Sequence, residues 1–163
     1  MELPEMGKEI RATPSLGAKI QDEEQLRPLT NDEAELLRWM FDHGSDDPRT
    51  FRSQLENIQA ARCCSCGCPS IHLEVAKDVQ PGADRGEKVV GDFAGKTAQG
   101  ELVGILLFQE KGKLTELEVY SMDGLAEGAF GLPDLGSMSV LEWVPSPTNP
   151  GFKVPFKSPG SPA

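Results

Sequence analysis

Every cysteine of the chain falls within Cys63-Cys64-Ser65-Cys66-Gly67-Cys68, and Pro69, Ser70 and His72 follow directly. Thiols bind soft metals, exchange disulfides and act as nucleophiles, so any unusual chemistry in this protein centres on these residues. Cys63-x-x-Cys66-Gly67 has the spacing of a zinc knuckle, in which the glycine permits the turn that aims two thiolates at one ion. A structural zinc takes four ligands, however, and no second, separated Cys-x-x-Cys pair exists. A zinc site here draws on Cys63, Cys64, Cys66, Cys68 and His72, with Glu74 or the same cluster of a second copy completing it. For nucleophilic work Cys64 or Cys68 needs a base, and His72 is nearest in sequence, but no orienting third group is evident. A link between Cys63 and Cys64, or between Cys66 and Cys68, would be strained and easily reduced, which suits a sensor better than a staple.

Strand geometry supplies the plainer alternative. If residues 62–66 form a strand paired with 71–75 across an even loop, Cys64 and Cys66 share the face of Ile71 and Leu73, and Cys63 shares that of His72 and Glu74. An odd loop brings Cys64 and Cys66 to His72 instead. Reduced cysteine is among the most buried residue types, so interior filling is the preferred reading over metal or redox work. Outside the cluster, His43 at a helix end complements the helix dipole, and Glu116 and Glu118 share a solvated strand face. Gly95-Lys96-Thr97 lacks the glycine of a phosphate loop, since residue 90 is valine. No catalytic residue set is evident, and the chain reads as non-enzymatic rather than enzymatic.

The elements that position the cluster follow from periodicity. Residues 1–28 carry scattered proline, glycine and charge, and read as a flexible leader. Thr30-Asn31-Asp32-Glu33 is a capping box, and Leu36, Leu37, Met40 and Phe41 recur behind it at helical spacing, with Gly44 as a left-handed stop. Asp46 or Asp47 caps a second helix that has Pro48 at its first position and a Phe51, Leu55, Ile58 stripe. The two predict a helical hairpin. The period then changes to two: Ile71, Leu73 and Val75 alternate with His72 and Glu74, and Val89–Ala94 is a weaker strand. Leu102–Phe108 is apolar on both sides and belongs at the centre of a sheet. Glu110-Lys111-Gly112-Lys113 is a tight turn into Leu114–Tyr120, a partner strand with one wet face. Val140–Val144 closes the fold, and the proline-rich residues 145–163 read as a disordered tail. The prediction is one α+β domain over 29–144, an N-terminal helical hairpin packed on a mainly antiparallel sheet of four to five strands.

Bulk properties narrow the function. The chain has 163 residues and a formal net charge of −10, and residues 29–144 alone carry that charge. Such a surface repels phosphate backbones, which argues against nucleic acid and for a basic protein partner. No window reaches the roughly 20 apolar residues that span a bilayer, and the N-terminus lacks the basic start and apolar core of a signal peptide. The expected location is a cytoplasm, where the four thiols stay reduced.

The chain also resembles a group of small bacterial proteins of uncharacterised function. The residues that carry the resemblance are Leu29-Thr30, Cys64-Ser65-Cys66-Gly67-Cys68-Pro69-Ser70, the strands Gly104–Phe108 and Leu117–Ser121, and Phe130-Gly131-Leu132-Pro133-Asp134. It spans roughly residues 29–135 and leaves Cys63 outside the pattern. It implies a shared fold unit and a bacterial cytoplasm, and no activity. The leading expectation is a non-enzymatic acidic protein that binds another macromolecule through its wet sheet face or through residues 123–134, without a cofactor. The alternative is a metal-binding, zinc or thiol redox-sensing protein.

Overall fold

Alternation of apolar and polar residues runs through most of the chain after Asn57, and it produces sheet. The computed structural model describes residues 25–44, 46–86, 88–125, 128, 130–145 and 153–157. The strands are β1 (Arg27–Pro28), β2 (Ile58–Arg62), β3 (Ile71–Val75), β4 (Val89–Lys96), β5 (Leu102–Glu110), β6 (Lys113–Ser121), β7 (Ser139–Pro145) and β8 (Lys153–Lys157). They lie in the order β1-β2-β3-β6-β5-β4-β7-β8, and every pairing is antiparallel. The mainly antiparallel sheet is therefore as expected, but it has eight strands where four to five were predicted. The two edge strands account for part of the difference. Both contain proline, Pro28 and Pro155, which reads as a strand breaker but is tolerated at an edge, where one side of the backbone needs no ladder partner. They also fall within the stretches read as leader and tail; the rest of those stretches lies outside the described residues, residues 25 and 26 and Pro145 apart.

Helix α1 (Asn31–His43) packs its apolar stripe on one face of this sheet. Leu36, Leu37, Met40 and Phe41 are at most 1% exposed and join Phe93, Val103, Ile105, Leu107, Leu117 and Val119 in one core. Its start is the predicted capping box: Thr30 Oγ1 accepts from the Glu33 amide at 3.2 Å, and Glu33 Oε2 accepts from the Thr30 amide at 2.8 Å. The Arg27 guanidinium adds a two-pronged contact to Glu33, at 2.8 and 2.7 Å, which ties edge strand β1 to the helix. Burial alone would push the Glu33 carboxyl up, but the bonds from Arg27 and Thr30 outweigh it and hold the group below its ordinary value of 4.5. A depressed carboxyl contributes stability that is complete above about pH 4.5 and is lost as pH falls through the lower folded value. Arg27→Ala removes the guanidinium and leaves burial unopposed. The expected result is a loss of about 2 kcal/mol at neutral pH. Acid unfolding, followed by circular dichroism, then begins at a higher pH than in the parent chain.

The helix end departs from expectation. Gly44 is extended, with φ −72° and ψ 178°, and is not a left-handed stop. Glycine is needed for space: a Cβ there would lie 2.6 Å from the Met40 carbonyl oxygen and 2.9 Å from the Pro48 ring. His43 stacks on Trp39 with ring centroids 4.3 Å apart, and its Nδ1 lies 2.9 Å from the Trp39 carbonyl oxygen, so it closes the last turn of α1.

The predicted helical hairpin does not form. The second helix is a single turn, α2 (Asp46–Arg49), followed by a 3-10 segment over Arg52–Asn57. Two demands cut it short. Ile58, the last member of its apolar stripe, is the first residue of β2, paired with Val75. Gln54 is fully buried and is claimed by the β5–β6 turn: its Nε2 donates to the Gly112 carbonyl at 2.7 Å, and its Oε1 accepts from the Leu114 amide at 3.1 Å. That turn, Lys111-Gly112, has positive φ at both residues (52° and 78°), the two-residue form that matches strand twist. A register shift just beyond it, between Phe108 and Gln109, lets both Leu114 and Leu117 reach the core despite their odd spacing.

Strand β5 is central, as its composition demands. Val103, Ile105 and Leu107 are fully buried under α1, while Leu106 and Phe108 on the far face are only half-buried. Tyr120 lies across Gly104, its partner in the ladder, so closely that a Cβ on Gly104 would fall 2.2 Å from the ring. Among the described residues no helix is long and apolar enough to cross a membrane.

Candidate metal centre

The cysteines do not continue the β2–β3 ladder. Arg62 pairs with Ile71 at its end, so residues 63–70 form an even, eight-residue connection in which strand alternation no longer decides which side chains face the core. None of the four cysteines is fully buried, and Cys64 is the most open of them. The interior-filling reading therefore fails. Only Cys68 packs partly against the core.

The connection folds back on itself instead. Gly67 has φ +82°, and this reversal returns Cys68 to Cys64, with the two Sγ atoms 3.4 Å apart. The sulfurs of Cys64, Cys66 and Cys68 all lie within 4.8 Å of one another, a group that could hold a metal ion. Cys64 and Cys66 are joined as a disulfide, so the expectation of four reduced thiols does not hold in this structure. Their Cα atoms are 5.4 Å apart, inside the span that a disulfide bridges, and this was the pair that sequence reasoning overlooked. Two backbone amides point at sulfur: Cys66 N–H at Cys64 Sγ and Cys68 N–H at Cys66 Sγ, each at 3.4 Å.

The knuckle spacing and the histidine are not part of this group. Cys63 Sγ donates toward Glu116 Oε1 at 3.9 Å and lies outside the three-sulfur cluster. His72 is exposed on the far face of the sheet, opposite Ala61 and Glu116 in the ladder, because strand alternation sends it away from Ile71 and Leu73. Glu74 is exposed on the same face. Of the five residues named from the sequence, the structure brings together Cys64, Cys66 and Cys68.

Two residues that hold the connection in place were missed. Ser70, at its end, is buried; its hydroxyl donates to the Val119 carbonyl at 3.1 Å and accepts from the Val119 amide at 2.9 Å. A side chain thus extends the short β3–β6 ladder, which pairs only Ile71 with Leu117 and His72 with Glu116. Ser70→Ala would strand both backbone groups. It is expected to cost about 2 kcal/mol, measured by urea unfolding, with faster amide exchange at Val119. Gly128, at φ +82°, meets the connection from the other side, where a Cβ would sit 2.4 Å from the Cys66 carbonyl oxygen.

A cavity of about 380 Å³ adjoins the cluster, with all four cysteines in its wall. Glu116, Glu118 and Tyr120, successive outward residues of β6, form another wall, and Leu125 and Phe130 contribute apolar surface. Burial pushes the Glu118 carboxyl up, and the neighbouring Glu116 charge pushes it further. Burial also raises the Tyr120 phenol, helped by the negative charges of Asp92 and Glu118. Sequence spacing paired Glu116 with Glu118, but not with the cysteines, because the contact crosses from a loop to a strand more than forty positions later. Comparison with protein-family models, with curated proteins and with solved structures finds no match.

Proposed function

We propose that this is a cysteine-cluster metal-binding protein, with Cys64, Cys66 and Cys68 of the reduced chain as thiolate ligands to zinc. The observation that carries the reading is the convergence of these three sulfurs within 4.8 Å of one another. Zinc accepts thiolate sulfur at about 2.3 Å, and backbone amides already point at the sulfurs of Cys64 and Cys66. The proposal includes a bacterial cytoplasm, implied by the resemblance of the Cys-x-Cys-Gly-Cys-Pro-Ser turn. That compartment keeps thiols reduced and so keeps the ligands available.

The test is metal analysis of protein expressed with added zinc and purified under reducing conditions without chelator, paired with a thiol count. Near-stoichiometric zinc, with three thiols protected from a thiol reagent until a chelator is added, is the expected result. Trace zinc with all four thiols reactive would sink the reading.

A second reading, a non-enzymatic acidic protein that binds a basic protein, is favoured by the net charge of −10 and by Glu74, Glu116 and Glu118 on the far sheet face. Attraction of that kind weakens steeply with salt, whereas zinc held by thiolates does not.

A further inference from the structure

We infer that the cavity beside the cluster is a binding site for small thiols that carry an ammonium group, the thiolate taking the open position on the metal and the ammonium lying against Glu116 and Glu118. The inference rests on the metal reading above and goes beyond it by assigning a ligand.

Three features point to this class of ligand. The first is coordination number. Among the described residues the cluster brings three sulfurs together and no fourth ligand, and zinc with three protein ligands keeps a position for an exogenous one. The cavity has the three cysteines in its own wall, together with Cys63, and is the space from which an incoming ligand would reach that position. At about 380 Å³ it falls at the small end of ligand pockets, enough for a short molecule.

The second feature is charge. Zinc with three thiolates is a net anion, and a fourth thiolate makes it more negative. Glu116 and Glu118 add carboxylates on the facing wall, and neither has a basic partner among the ion pairs of the described residues. A cation on the incoming molecule relieves this crowding; a second anion aggravates it. The third is chemical hardness. A centre already made of sulfur is best completed by a soft donor, and thiolate exceeds amine or carboxylate in that respect.

The Cys64–Cys66 disulfide must first be opened by a reductant: a phosphine takes up the oxygen of a water as its oxide and leaves two thiols. Binding to the reduced, metal-loaded chain then involves no further redox change: the thiol would give its proton to solvent, its sulfur would take the open position, and the ammonium would keep its charge.

The experiment uses the full chain, reduced with a phosphine that is then removed, and loaded with cobalt(II) in the absence of air, the sulfur-to-metal absorption reporting ligand exchange. Cysteamine and 3-mercaptopropionate carry a thiol on the same short chain with opposite charges, and their affinities are compared per thiolate, since the ammonium makes the first thiol the more acidic. Cysteamine is expected to shift the spectrum saturably and to bind at least about tenfold more tightly than mercaptopropionate. In Glu116→Gln/Glu118→Gln, cobalt stoichiometry is expected to be unchanged and the preference to collapse to within about threefold. Equal binding of the two thiols by the parent chain, or no spectral change with either, overturns the inference and leaves the metal reading standing. Failure of the chain to take up cobalt or zinc at all overturns both. A preference that survives in the double variant also overturns the inference, since the carboxylates would then not be its source.

Discussion

Replacing Gln54 with alanine is expected to destabilise the fold by about 3 to 4 kcal/mol, seen as a lower urea midpoint with an unchanged slope. The side chain is fully buried and reaches some sixty positions along the chain to hold the turn at Gly112 and the start of β6 at Leu114. Without it the Leu114 amide is left inside the protein with no acceptor, at about 1 to 3 kcal/mol. The Gly112 carbonyl loses one of two donors and keeps the Gly82 amide at 2.6 Å, so it adds less. The emptied volume lies between the 3-10 segment and the hairpin and adds a cavity term. Amide exchange distinguishes this account from general loosening, because Leu114 should lose protection before Ile105 or Leu107 does. If Leu114 keeps its protection, Gln54 is only filling space.

Removing one sulfur from the cluster should act on the metal more than on the fold. Cys68→Ser is expected to weaken zinc binding by at least about a hundredfold, since a structural zinc's binding free energy shared over four ligands is about 3 kcal/mol for each. Cys63→Ser should change it by less than about threefold, as that sulfur turns to Glu116 and not to the other three. Competition against a chromophoric chelator at constant pH measures both. The contrast matters because the knuckle spacing would have named Cys63 and Cys66 as the pair. Equal losses in the two variants would make Cys63 a ligand alongside Cys68 and remove the three-sulfur reading.

What the sequence disclosed depended on how local the cause was. The α1 capping box, the α1 stripe, the Lys111-Gly112 turn and the central place of β5 each follow from neighbouring residues, and all are present. The second helix failed because a distant hairpin claims Gln54 and the sheet claims Ile58, and no local propensity records either demand. For the cluster, residue type was legible and arrangement was not. Alternation holds only while a strand lasts, and β2 ends at Arg62, one residue too early to orient the thiols. His72 followed the strand rule and lies opposite Glu116 in the ladder, outside the three-sulfur group. The pocket's acidic wall was invisible as such, since Glu116 and Glu118 meet the cysteines only through the β3–β6 pairing that Ser70 extends.

Tyr120 is the chain's single tyrosine, and it lies over Gly104 in the wall of the cavity. Its ultraviolet difference spectrum therefore carries no contribution from other phenols, and ionisation of that one ring, held above its ordinary range by burial and by Asp92 and Glu118, can be followed alone in alkaline titration. The protein thus contains its own optical gauge, placed where a cation entering beside Glu118 would draw the phenol's titration back down.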